Sequence, residues 1–275
     1  MTTDVVVCVH GALQEVSACI ASVKRAGGYQ RLILVDDHNC DADRRALADL
    51  LDDQTVLLSS PKPGYAHAAN HGLSESTADQ VCLLNSDTLV ADQWLQRMAA
   101  CFSSHSACGA VGPWSNAASW QSVPRQRDWR GRWVINDLPE SCDVNCVNER
   151  LRRQGPPVYP EVGVLNGFCI MLKRALLDAV TGFDVARFPQ GYGEENDLCL
   201  RAVDAGFELR VVDNVYVYHV KSASFGHQRR RVLSSAGDQA LTAKHGRGKV
   251  KELIAGMRKN KALRVARKRS MPAFK

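Results

Sequence analysis

The amino-acid sequence predicts an α/β fold with a mostly parallel central sheet covered by helices on both faces, and three observations carry that prediction. Short, continuously apolar runs such as Val5-Val6-Val7-Cys8-Val9 and Arg31-Leu32-Ile33-Leu34-Val35 alternate with segments whose apolar residues recur at helical spacing, such as Leu13, Val16, Ile20 and Val23. Strands buried on both faces lose the in–out alternation of a half-exposed sheet, and parallel neighbours need a crossover between them. The chain has 275 residues, 45% apolar and 23% charged, enough for one large core.

The elements follow in order. A strand over 5–9 leads into the helix marked by Leu13 to Val23. A second strand, 31–35, ends in Asp36-Asp37, and a helix over 42–51 precedes a short strand at 55–58. Residues 64–74 are rich in small side chains and read as a helix after a Pro-Gly turn. Residues 80–84 form a strand stopped by Asn85-Ser86-Asp87; Trp94, Leu95 and Met98 mark the next helix, and 110–113 the next strand. The rhythm breaks over 117–162, which carries Trp120, Trp129, Trp133 and the turn Gly155-Pro156-Pro157. An aperiodic stretch this long indicates a binding loop, here an acceptor-side insertion or lid. A strand within 163–172, a helix over 173–180 and a second helix over 194–205, closed by Gly206, restore the pattern. Strands at 208–212 and 215–219 complete it. The expected division is a catalytic domain over 1–230 and a helical, basic extension over 231–275 that turns loose towards its end.

The net charge of +6 is unevenly spread: Lys244 to Lys275 holds twelve basic residues and the single acid Glu252, so the preceding residues sum to −5. Basicity therefore describes a partner of the tail: an anionic membrane leaflet, a polyanionic acceptor or another subunit, with Met257, Leu263, Val265 and Met271 as weak apolar anchors. Its basic residues lack the interleaved aromatics of a nucleic-acid platform, and no nucleic acid is expected. No stretch approaches a transmembrane span and the N-terminus lacks a signal-peptide pattern, so the expected location is cytoplasmic, with peripheral contact at the inner face of the membrane as an extension. Without such a signal, the ten cysteines are not expected to form a disulfide framework. Cys142 and Cys146 stand four apart, but no second close pair completes a zinc site.

Ligands of open α/β sheets bind beyond the carboxyl ends of the strands. Asp36-Asp37, Asn85-Ser86-Asp87 and His219 all fall at such ends. No glycine-rich dinucleotide fingerprint or phosphate loop is present, so a nucleotide would be held otherwise, and a carboxylate-bound divalent cation is the natural substitute.

These pieces, with Gly64-Tyr65-Ala66-His67-Ala68-Ala69-Asn70-His71-Gly72, Gly182-Phe183-Asp184 and Gly193-Glu194-Glu195-Asn196-Asp197-Leu198-Cys199-Leu200-Arg201, resemble in order and register the family 2 glycosyltransferases, inverting enzymes of the GT-A (nucleotide-diphospho-sugar transferase) fold, over about residues 4 to 226. The resemblance implies metal-dependent transfer of a sugar from a nucleotide-diphosphate sugar to an acceptor hydroxyl. It implies Glu195, at a position usually Asp, as the general base. Asp36 would hold the nucleotide base and Asp37 the ribose, with Val9, Gly64, Asn70, Asn85, Ser86 and Lys221 as further donor contacts. Asp87 and His219 would hold Mg2+ or Mn2+. Ser222 and Ser224 would join Lys221 near the diphosphate. Trp120, Asn166, Gly167 and Glu194 would meet the acceptor, while Asp197 would cap or brace its helix. His38 and Cys40 stand where the family often has Gly and Thr, so that turn is expected to differ. The partners implied are a nucleotide sugar and a carbohydrate or other hydroxyl-bearing acceptor, with a homodimer as a further expectation. A nucleotidyltransferase and a noncatalytic nucleotide-sugar or carbohydrate-binding protein remain the alternatives.

Overall fold

A computed structural model describes residues 1–189, 192–221 and 227–275, with backbone only over 227–231. The chain runs β1 (Thr3–Val9), α1 (Leu13–Ala26), β2 (Arg31–Asp36), α2 (Asp41–Ala48), β3 (Thr55–Ser59), α3 (Tyr65–Glu75), β4 (Gln80–Asn85), β5 (Thr88–Leu89), α4 (Trp94–Ser104) and β6 (Cys108–Trp114). It continues as α5 (Val144–Arg152), β7 (Glu161–Val162), β8 (Cys169–Lys173), α6 (Arg174–Val180), α7 (Glu194–Asp204), β9 (Glu208–Tyr216), β10 (Tyr218–His219), α8 (His227–His245), α9 (Arg247–Lys259) and α10 (Lys261–Ser270).

Eight strands form one sheet in the order β3-β2-β1-β4-β8-β6-β9-β7, and β5 and β10 form a small second sheet. β1 pairs in parallel with β2 and β4, and β2 with β3. β8 enters antiparallel between β4 and β6, and β9 runs parallel to β6. The fold is thus α/β with a mostly parallel central sheet.

The period of two along each strand divides the core. Val6, Ile33, Val35, Val81 and Leu83 face one side, where α3, α5, α6 and α7 pack. Val5, Val7, Leu32, Leu34, Cys82 and Leu84 face the other, against α1 and α4. Both faces are covered, which is why the strands read as unbroken apolar runs.

Three expectations need correction. The strands expected at 208–212 and 215–219 divide differently: Glu208–Tyr216 runs unbroken along β6 as β9, with a register shift near Pro113 and Trp114, and Tyr218–His219 forms β10 against β5. Cys142 and Cys146 are disulfide-bonded, while the other eight cysteines are thiols. The physical cause is local: Asp143 caps α5 by accepting from the Cys146 amide at 2.8 Å, and this turn sets the two Cα atoms 5.4 Å apart.

The C-terminal segment, finally, does not turn loose. Met257, Leu263, Ala266 and Ala273 are buried in the protein's own core, so Met257 and Leu263 are not free as anchors. Arg267 lies over the Trp114 ring and donates to the Trp120 and Ser122 carbonyls, and Phe274 meets Tyr216 edge-on. Amphipathic helices bury whatever apolar stripe finds a partner, and here the sheet's far end supplies it. Among the described residues no helix is long and apolar enough to cross a membrane.

Candidate active site

The parallel strands end together. Register pairs Val9 with Asp36, Asp36 with Ser59, and Cys8 with Asn85, so one sheet edge carries all of these positions. Asp36 is buried and its carboxylate is engaged: Oδ1 accepts from the Asn39 amide at 2.9 Å and from Asn39 Nδ2 at 2.6 Å, and Oδ2 pairs with Arg44 Nε at 3.1 Å. Asp36, His38, Asn39, Arg44, Ser59 and Ser60 line a cavity of about 190 Å³. Asn39, Arg44 and the serines were missed in the sequence, since nothing in their spacing singles them out. His38 adopts φ 58°, a left-handed conformation that glycine takes without strain.

Asp37 accepts from the Gly64 amide at 2.8 Å and so braces the entry to α3. Gly64 sits at φ 118°, and a Cβ there would lie 2.3 Å from the Pro189 carbonyl oxygen, so only glycine fits. Two of the expected donor contacts have structural partners of their own. Val9 is fully buried, and its carbonyl accepts from the Asp37 amide and Asn39 Nδ2, so it shapes the turn and offers no side-chain surface. Asn70 clamps the backbone of Phe183 in both directions, donating to its carbonyl at 2.9 Å and accepting from its amide at 2.8 Å. Through that pair Asn70 ties α3 to the loop before α7.

Beyond β4, the turn Asn85-Ser86-Asp87 leads to β5, which pairs antiparallel with β10 so that His219 lies opposite Thr88. This brings the two expected metal ligands together: His219 Nε2 lies 3.1 Å from Asp87 Oδ1. His219 is buried, stacked on Phe168 at 5.4 Å and 15°, and held through its backbone by Asn116, whose side chain both donates to and accepts from it. Asn116 is thereby a structural clamp. Asn85 and Ser86 remain half-buried at the strand end. Ser222 and Ser224 lie outside the described residues.

Among the described residues no group of three or more His, Cys, Asp or Glu side chains could hold a metal. One carboxylate and one imidazole nevertheless suit an oxygen-preferring divalent cation whose remaining positions are filled by phosphate oxygens.

Glu194 and Glu195 open α7. Gly167, immediately before Phe168 and β8, packs on Glu195, and a Cβ on it would sit 3.3 Å from the Glu195 Cβ. Lys221, two residues past His219, is close enough for its charge to act on Glu195. The base candidate therefore adjoins both the Phe168–His219 stack and the Lys221 turn.

Burial raises the Glu195 carboxyl above its ordinary 4.5, against the lowering effect of its own, the Gly193 and the Asn196 amides and of Lys221. Glu194 is pushed well above its ordinary range by burial and then by Glu195. Its Oε2 is buried with no hydrogen-bond partner. Tyr65, at the start of α3, was missed as a neighbour; burial and then Cys8, Glu194 and Glu195 push its phenol well above 10.0.

Asp197 braces α7. It is fully buried and meets Arg201 Nε at 2.8 Å, Lys244 Nζ at 2.7 Å and His245 Nε2 at 2.7 Å. Asn166 accepts from the Phe168 amide and donates its own amide to Gln121, shaping the loop that presents Gly167. Trp120 is half-buried, edge-on to Trp133 at 5.2 Å.

This sheet order, with its carboxylates and histidine gathered at the strand ends, is the architecture of the GT-A glycosyltransferases, and solved structures of that class share it at low identity. A mannosyltransferase from Pyrobaculum calidifontis, in complex with GDP-Man and Mn2+, matches with a TM-score of 0.65 at 16% identity, over 98% of this chain and 73% of that one. Glucosyl-3-phosphoglycerate synthase from Mycobacterium tuberculosis, with Mn2+, UDP and glucosyl-3-phosphoglycerate, matches with a TM-score of 0.60 at 16% identity, over 89% and 80%. GalNAc-T7, with UDP, GalNAc and Mn2+, matches with a TM-score of 0.61 at 16% identity; 80% of this chain spans 44% of that one. None of the curated proteins matches the chain by sequence. The model of glycosyl transferase family 2 matches residues 4–180, and the chain belongs to that family. The matched span ends before Glu195 and His219.

Proposed function

We propose that this protein transfers a sugar from a nucleotide-diphosphate sugar to an acceptor hydroxyl with inversion at the anomeric carbon. The observation that carries the reading is the placement of a half-buried carboxylate, Glu195, beside the Lys221 turn that continues from the Asp87–His219 pair. A family-2 fold whose relatives in solved structures bind UDP or GDP-Man with Mn2+ supports the donor class.

Each residue then has a task. The cavity at Asp36 receives the nucleoside, its carboxylate held rigid by Asn39 and Arg44. Asp87 and His219 would hold Mg2+ or Mn2+, which when bound offsets the charge growing on the departing diphosphate. Lys221 adds a positive charge on the same side. Glu195 accepts the proton of the acceptor hydroxyl as its oxygen bonds the anomeric carbon and the bond to the diphosphate breaks. Gly167 keeps the space in front of Glu195 free of a side chain.

The test is slow donor hydrolysis across a panel of nucleotide sugars, with Mg2+, Mn2+ or EDTA, followed by transfer assays with the donor so found. Hydrolysis of one donor class that EDTA abolishes is the expected result. Binding of nucleotide sugar without turnover would favour the noncatalytic alternative, and release of pyrophosphate from a nucleoside triphosphate would favour a nucleotidyltransferase.

A further inference from the structure

The segment 125–136 forms a structured finger whose tip faces solvent. Arg127 bridges Trp133 in antiparallel fashion, and the Val134 amide donates to the Gln126 carbonyl at 3.2 Å. Asp128 organises the turn: its Oδ1 accepts from the Arg130 and Arg132 amides at 2.9 and 2.8 Å, and its Oδ2 meets Arg132 Nε at 2.8 Å. The base is fixed by buried Asn136, which donates to the Asn116 and Arg125 carbonyls and accepts from the Arg125 amide. This finger is built.

What it displays is unusual for a surface turn. Trp129 is 84% exposed, Ile135 59% and Trp133 44%. Residues 125–135 hold four arginines against the single acid Asp128. Arg130 lies over the Trp129 ring at 4.3 Å and Arg127 over the Trp133 ring at 3.7 Å. Large exposed apolar groups mark a contact surface, and the combination of tryptophan with arginine suits the boundary between lipid tails and anionic headgroups. A sugar-binding platform needs a bare aromatic face in a concavity, with amides or carboxylates to orient hydroxyls. Here Arg130 lies over one face of Trp129, and the ring stands exposed at the tip and not recessed in a concavity.

We propose that this finger docks the protein on an anionic phospholipid surface, with Trp129 and Ile135 entering the headgroup–acyl boundary and the arginines meeting lipid phosphates. In the tail Met257 and Leu263 are buried within the protein, and the exposed apolar residues Val265 and Met271 include no aromatic ring. The inference is independent of the transfer chemistry.

The full chain is sedimented with vesicles of phosphatidylcholine alone and of phosphatidylcholine with phosphatidylglycerol. A parallel series carries brominated acyl chains that quench tryptophan fluorescence at short range. Trp94 and Trp114 are fully buried, so quenching reports on the exposed rings. Binding confined to the anionic vesicles, weakened by salt and accompanied by quenching, is expected. Removing one arginine charge should weaken it about fivefold. The double variant W129A/R130A should lose at least about tenfold and most of the quenching, with thermal unfolding unchanged because both side chains are exposed. Absence of binding, equal binding to neutral vesicles, or equal binding and quenching by the double variant would each overturn the proposal.

Discussion

Two consecutive acid pairs lie at the edge of this sheet and meet opposite fates. Asp36 and Asp37 are buried but supplied with donors: the Asn39 amide and side chain, Arg44, and the Gly64 amide. Glu194 and Glu195 open a helix; Oε2 of Glu194 has no partner, Glu195 has backbone amides and the Lys221 charge, and burial still raises both carboxyls. Burial raises a carboxyl wherever the donors around it do not offset the lost solvation. The same helix contains its own control, because Asp197, two residues on, is fully buried and meets two cations, Arg201 and Lys244, and the His245 ring.

The comparison breaks most readily at Glu195. Glu195→Gln keeps the shape and removes the basicity, so transfer should fall about 10²–10⁴-fold with donor binding retained; normal turnover in a steady-state assay would end its role as base. Asp197→Asn tests the satisfied acid. Burial works to raise Asp197, yet the hydrogen bonds from Lys244, His245 and Arg201 outweigh it and leave the carboxyl below 3.8. The variant should lose about 3 kcal/mol and some 6–12 °C of Tm, read by thermal unfolding.

The pH profile separates the pairs next. A base must be deprotonated to act, and the Glu195 carboxyl is raised above 4.5, so the acid limb of kcat/KM should lie above that value and disappear in Glu195→Gln. For stability the sign follows from the same direction. A carboxyl raised by folding favours the native state below its unfolded pKa, and that advantage is lost as pH rises through the folded value. Glu194→Gln should therefore match the parent in acid and exceed it at alkaline pH, by about 2–4 °C for each kcal/mol of relieved burial. This smallest effect is read from Tm against pH.

The sheet was legible because parallel strands buried on both faces leave long apolar runs: Val5 to Val9 and Leu32 to Val35 needed no context. So was the Asp87–His219 pairing, through resemblance, although only the β5–β10 pairing brings residues so distant in sequence to 3.1 Å. The clamp of Asn70 on Phe183 was not legible, because its partner lies 113 residues away. Arg44 and Asn39 went unnoticed for the same reason, being ordinary helix and turn residues until they fold against Asp36. The tail misled through its charge, which hid a periodic apolar stripe of Leu263, Ala266 and Ala273.

The Asp197 cluster has a consequence for chimeras. Because Lys244 and His245 belong to α8 and reach the helix that presents Glu195, exchanging the C-terminal helices with those of a relative is not a neutral graft. A transplanted segment that lacks a cation at 244 and a ring donor at 245 would leave the buried Asp197 charge unmatched two residues from Glu195, so donor and recipient have to be matched at those positions before any other.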